Sequence, residues 1–90
     1  MLYLITYDLN NKDKNYEALY EQIKQCGSYW WHYLDSVWII QSNKSISECN
    51  NLIKSQMDDN DSLFIVEITN QKYQGWLPSK AWEWLRDYNK

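Results

Sequence analysis

The sequence predicts an α+β domain built on a four-stranded antiparallel sheet, and three observations carry that prediction. Apolar runs of strand length, rich in aromatic and branched residues, occur four times. Two amphipathic runs at helical spacing separate the first strand from the second and the third from the fourth. Ninety residues suffice for one core and not two, since a chain of this size removes roughly 60–65% of its extended surface from water. Residues 1–90 are therefore expected to form a single domain, with residues 1–69 as its core and a loop and helix over 70–90.

The first strand is LYLITYDL, Leu2 to Leu9, apolar on both faces and bounded by the turn formers Asn10, Asn11 and Asp13. Asn15 is placed to cap a helix whose stripe is Tyr16, Leu19, Tyr20, Ile23 and Cys26, and Gly27 stops it. Trp30 to Leu34 and Val37 to Gln41 flank Asp35-Ser36, which reads as a hairpin with a two-residue turn. Ser45 and Glu48 have the spacing of a capping box, where each side chain satisfies a free backbone N–H of the first turn. Ile46, Cys49, Ile53 and Met57 form the inward stripe of that second helix, and the polar run Asp58 to Asp61 ends it. Leu63 to Thr69 is the fourth strand. After a loop around Gly75 and Pro78, Ser79 is the expected cap of a third helix carrying Ala81, Trp82, Leu85 and Tyr88 on one side.

The order β-α-β-β-α-β, joined by right-handed crossovers, gives a ferredoxin-like sandwich with strands in the spatial order 4-1-3-2 and an extra C-terminal helix. If Tyr3, Ile5, Tyr7, Phe64, Val66 and Ile68 meet the first two helices, then Leu2, Leu4, Leu63 and Ile65 face the other way. An apolar patch of that extent is costly to leave wet. The terminal helix, a ligand or a second copy must cover it, and a twofold homodimer is the simplest cover.

Twelve acids against nine bases give a net charge of -3, and the lysines and the one arginine are scattered singly. Such a surface neutralises few phosphates, so duplex DNA is an unfavourable partner. No apolar run is long enough to span a membrane, and two cysteines without metal or redox spacing read as reduced thiols in a cytoplasmic protein. Glycine-rich phosphate loops, HExxH and nucleophile elbows are absent from the sequence.

The strand order places Asp8, Asp35, Ser36, Asn60 and Asp61 on one rim, with His32 near it. Carboxylates at a common edge can hold Mg²⁺ or Mn²⁺ through one or two oxygens each. Asp35, Asn60 and Asp61 are also ordinary turn and cap residues. Asp8 is different, because it closes an apolar central strand. His32 fits either a hydrogen-bonded structural role or proton transfer. Trp30 and Trp31 are adjacent and must face opposite sides of a strand, so one of them is free to act as a stacking platform.

YLITYDL, followed by a helix and then by Ser36-Val37-Trp38 opening the third strand, resembles the second CRISPR-associated adaptation protein over Leu2 to Thr69. YDLN, WWHYLDSxW and the GWLPxxAWxWL tail are similar to the short bacterial proteins labelled SinR-family. The resemblance implies a homodimer in which two copies of Asp8 face each other across a cleft at a metal ion, with metal-dependent nucleases among the relatives and DNA-bridging proteins beside them. An aromatic C-terminal helix and the lack of an arginine-rich surface depart from the bridging members.

Three readings follow. The first is a homodimeric module for a nucleotide, a cyclic oligonucleotide or a single strand, with Trp30 or Trp31 stacking and Asp8, His32 and Ser36 supplying hydrogen bonds. The second is a nuclease or phosphodiesterase with Asp8 on Mg²⁺ or Mn²⁺ and His32 as proton shuttle. The third is a protein-binding module.

Overall fold

The computed structural model describes residues 1–89, with elements β1 (Leu2–Asp8), α1 (Glu17–Cys26), β2 (Tyr29–Leu34), β3 (Val37–Gln41), α2 (Ile46–Lys54), β4 (Ser62–Glu67) and α3 (Ser79–Tyr88). The sheet runs β2-β3-β1-β4 with every pairing antiparallel, which is the predicted ferredoxin-like order. Leu34 pairs with Val37, so the hairpin turns through Asp35-Ser36 as expected.

The helix starts are local chemistry. Asn15 is not the cap of α1: Tyr16 holds that position without a side-chain cap bond, and Asn15 Oδ1 only accepts the Glu17 backbone N–H at 2.9 Å from one residue further out, whereas Ser45 and Glu48 complete the capping box of α2. Ser79 is not a cap: Pro78 holds that position, its ring fixing the entry angle, and Ser79 is the first helical residue. Gly27 is required by space. Its backbone is extended, but a Cβ there would lie 2.8 Å from the Gln41 carbonyl oxygen and 2.9 Å from Ile40 Cβ.

The sheet is covered on both faces, by different helices. Tyr3, Ile5, Trp38 and Ile40 form the inner face and pack with Leu19, Ile23 and Cys26 of α1 and Cys49 and Ile53 of α2. Leu2, Trp31 and Ile39 form the outer face and pack under Ala81 and Leu85 of α3. The terminal helix is thus a cover for the face that the sequence leaves bare. It shields the β2-β3-β1 part of that face, while Phe64, on β4, remains 62% exposed with Val66 beside it.

The expected facing of β4 is corrected. Ile65 pairs with Ile5 and Leu63 with Tyr7, and directly paired residues share a face, so Leu63 and Ile65 join the inner core. Phe64, Val66 and Ile68 point outward instead of meeting α1 and α2, and Ile68 tucks against the α3 cluster.

Candidate functional site

The end of β1 sets the rim. Asp8 pairs with Ser62 at the start of β4, and Thr6 pairs with Val37 just after the Asp35-Ser36 turn. Asp8, Asp35, Ser36, Asn60 and Asp61 therefore share one border, as the strand order requires. Asp8 and Ser36 are exposed, and among the described residues the Asp8 carboxylate makes no hydrogen bond or ion pair.

The other rim acids are committed to holding a loop. Asp61 accepts the Asn10 backbone N–H at 2.8 Å, the Tyr16 hydroxyl at 2.9 Å and the Asp58 backbone N–H at 2.9 Å. Asp58 accepts from Asn11 Nδ2 at 3.0 Å and Lys14 Nζ at 3.1 Å, and the Asn60 carbonyl accepts from Asn10. These bonds tie the β1–α1 loop to the α2–β4 loop. They also hold both carboxyls below the usual carboxylate range, Asp58 chiefly through Asn11 and Lys14, Asp61 chiefly through the Asn10 N–H.

His32 is anchored. Its ring lies 3.8 Å from the Trp38 ring at 8°, and its Nδ1 is 3.0 Å from the Val37 carbonyl oxygen. A register shift between Trp31 and Leu34 sets two residues, His32 and Tyr33, opposite Trp38, and this bulge turns the imidazole onto the indole. Trp38 Nε1 in turn donates to the Tyr7 hydroxyl at 3.0 Å.

The tryptophan pair divides as strand geometry demands. Trp31 is 2% exposed beneath α3, with Nε1 donating to the Ala81 carbonyl at 3.2 Å, so its expected part in stacking a ligand is corrected: the ring is core. Trp30 is the free member, 45% exposed, with Trp38 at 5.4 Å and Lys24 Nζ 4.8 Å from its ring centroid. It does not join the rim. Through Ile40, Trp30 is level with Tyr3, five residues back from Asp8 and roughly 17 Å away along the strand direction.

Sequence reasoning misses Trp76, which is 99% exposed in the loop between β4 and α3. Its signal is the segment Gly75-Trp76-Leu77-Pro78, where flanking breakers deny the ring any periodic face to bury. Leu77 points the other way, into an apolar cleft of about 310 Å³ walled by Leu34, Val37, Tyr73 and Trp82.

The donor set bears on metal binding. Among the described residues no three or more of His, Cys, Asp and Glu gather as a metal centre, and the Asp58 and Asp61 carboxyls are engaged in the loop tie. One chain does not fit a metal ion by itself. Cysteine chemistry is also remote: Cys26 and Cys49 are buried and unbridged, and burial, with Cys49 beside it, pushes the Cys26 thiol up to about 11. No helix is long and apolar enough to cross a membrane among the described residues.

Four antiparallel strands in the order β2-β3-β1-β4, with two helices packed on one face, define a ferredoxin-like protein. The chain belongs to the family described as CRISPR associated protein Cas2, whose profile matches residues 1–75. The match stops short of α3, the helix that covers the outer face. No curated protein matches the chain.

Proposed function

We propose that this member of the Cas2 family is a homodimeric module that binds a nucleotide, a cyclic oligonucleotide or a short single strand. The observation that carries the reading is Trp30: a half-exposed indole, backed by Trp38, with the Lys24 ammonium beside it. A ring next to one cation suits base stacking with a phosphate close by, and stacking needs few charges in an acidic protein. Asp8 and Ser36 offer exposed hydrogen-bonding groups at the rim, which only a ligand longer than a mononucleotide reaches together with Trp30. Exposed Phe64 and Val66 on an edge strand support pairing with a second copy. Within the family we place the chain in the short SinR-labelled group, on its YDLN, WWHYLDSxW and GWLPxxAWxWL segments.

The test is thermal melting with cyclic dinucleotides and mononucleotides. A ligand at a hundredfold excess over its Kd adds about 2.7 kcal/mol of stability. Trp30→Ala should reduce that gain, and an equal gain in the variant removes Trp30 from the site.

A metal-dependent nuclease is the second reading, favoured by the unpartnered Asp8 carboxylate. It needs the second copy's Asp8 to complete a site that one chain lacks. Mn²⁺-dependent cleavage of RNA or cyclic dinucleotides, lost in Asp8→Asn, is its expected signature. Cleavage retained in that variant excludes it.

A further inference from the structure

Where α3 crosses the outer face of the sheet it leaves a cleft of about 310 Å³ beside the chain from Ile68 to Leu77, a volume at the lower end of small-molecule sites. Leu4, Val37 and Ile39 line it from the sheet, and Leu77, Trp82 and Leu85 from the loop and α3. Its polar lining is confined to Gln71, Lys72 and Gln74, all three exposed, so they stand where the cleft meets water. The family profile ends at residue 75, before Leu77, Trp82 and Leu85, so the cleft depends on a segment outside the shared one.

The aromatic walls are held in place by the chain itself. Trp31 Nε1 donates to the Ala81 carbonyl at 3.2 Å, which fixes that ring under the start of α3. Tyr73 stacks on Trp82 with centroids 6.0 Å apart at 18°, and the backbone at Gly75 comes so near that a Cβ there would lie 3.7 Å from the Trp82 ring. Trp31, Tyr73 and Trp82 all line the cleft, and a flat aromatic group packs on such rings in offset or edge contacts that an alkyl chain cannot make.

Charge narrows the ligand further. No Asp or Glu lines the cleft, and Lys72 is its one charged group, without an ion pair among the described residues. The amides of Gln71 and Gln74 add neutral N–H donors. One cation balances one negative charge, which suits a carboxylate better than a phosphate monoester carrying about -1.5 to -2.

We propose that this cleft binds a small aromatic carboxylate, with its ring among Trp31, Tyr73 and Trp82 and its carboxylate at Lys72. The site is independent of the Trp30 surface: Trp30 pairs with Ile40 of the inner face, whereas the cleft lies on the outer face.

The experiment follows the six indole N–H resonances of the ¹⁵N-labelled chain while 2-naphthylacetate is added. Those of Trp31 and Trp82 should shift saturably, with a Kd of about 1 mM or below for a ligand of this size, and that of Trp30 should stay still. Lys72→Gln should weaken binding of the acid about 2- to 5-fold, the reach of an exposed ion pair, and leave binding of the neutral 2-naphthylacetamide unchanged. Shifts at Trp30 instead of Trp82, or no saturable shift at all, overturn the site. Equal affinity of the wild type for the acid and the amide overturns the anionic class. Trp31 and Trp82 resonances that move with protein concentration alone put a second copy in the cleft and overturn the proposal.

Discussion

At the scale of single residues, Asp8 and Asp61 show that a shared rim does not mean a shared role. Asp61 spends its oxygens on Asn10, Tyr16 and Asp58, whereas Asp8 has no partner among the described residues. Because the Asp58 and Asp61 carboxyls are held below their ordinary range, they favour the folded state only while ionised. Their contribution is complete above the ordinary carboxylate pKa of about 4 and is lost as pH falls below it. Thermal melts from pH 7 to pH 3 should therefore show Asp61→Asn melting below wild type at pH 7, with a shallower acid limb. Asp8→Asn should leave both features unchanged. A steep acid limb surviving in Asp61→Asn would mean that the loop tie is not what acid breaks. Cys26 gives the opposite sign. With its thiol raised to about 11, it stays protonated at pH 8, and a disulfide reagent should label it only after denaturant is added. Rapid labelling of the native protein at pH 8 would contradict that burial.

At the scale of elements, close approach and parity decide what the chain can tolerate. Gly27 leaves room for Gln41 and Ile40 where α1 gives way to β2, so Gly27→Ala forces the sheet or the helix to move. Urea unfolding should show a loss of about 1–3 kcal/mol, the usual cost of overpacking. Ser45→Ala removes one half of the capping box and should cost about 0.5–2 kcal/mol. Equal stability in Gly27→Ala would show that the contact relaxes freely. The Ser-x-x-Glu spacing is a local signal legible in the sequence, and so is a glycine that ends a helical stripe, but the close approach of Gln41 and Ile40 to Gly27 is long-range and is not. The facing of β4 is not legible either. Its segment is apolar at both parities, Leu63 and Ile65 against Phe64 and Val66, so only pairing with Ile5 and Tyr7 decides which side is inward. The bulge at His32 and Tyr33 is likewise a product of the β2–β3 register, and it stacks the imidazole, for which the sequence leaves a structural role and proton transfer both open, on Trp38. Trp76 escaped notice because periodicity describes what is buried, and a loop residue has no period.

At the scale of the whole molecule, the question is how much apolar surface the fold still leaves in water. The sequence implied a bare outer face, and α3 answers most of that demand by seating Ala81 and Leu85 on Leu2, Trp31 and Ile39. The remainder is concentrated on β4, an edge strand whose outer side carries Phe64 and Val66 and whose free backbone groups are open to pairing. A twofold contact over this strip would use the same patch on both copies and take Phe64 out of water. It would also bring two copies of the β1–β4 border together, and Asp8 pairs with Ser62 on that border. Phe64→Glu places a charge where a ring is to be buried, and loss of such an anchor costs about 2 kcal/mol or more of association. Analytical ultracentrifugation should give twice the chain's mass for wild type and the chain's mass for Phe64→Glu, with far-UV circular dichroism unchanged because the position is exposed in the single chain. A wild-type protein that sediments as a single chain at high concentration would remove both the pairing and the two-carboxylate nuclease reading, while leaving the Trp30 surface to be judged on binding alone.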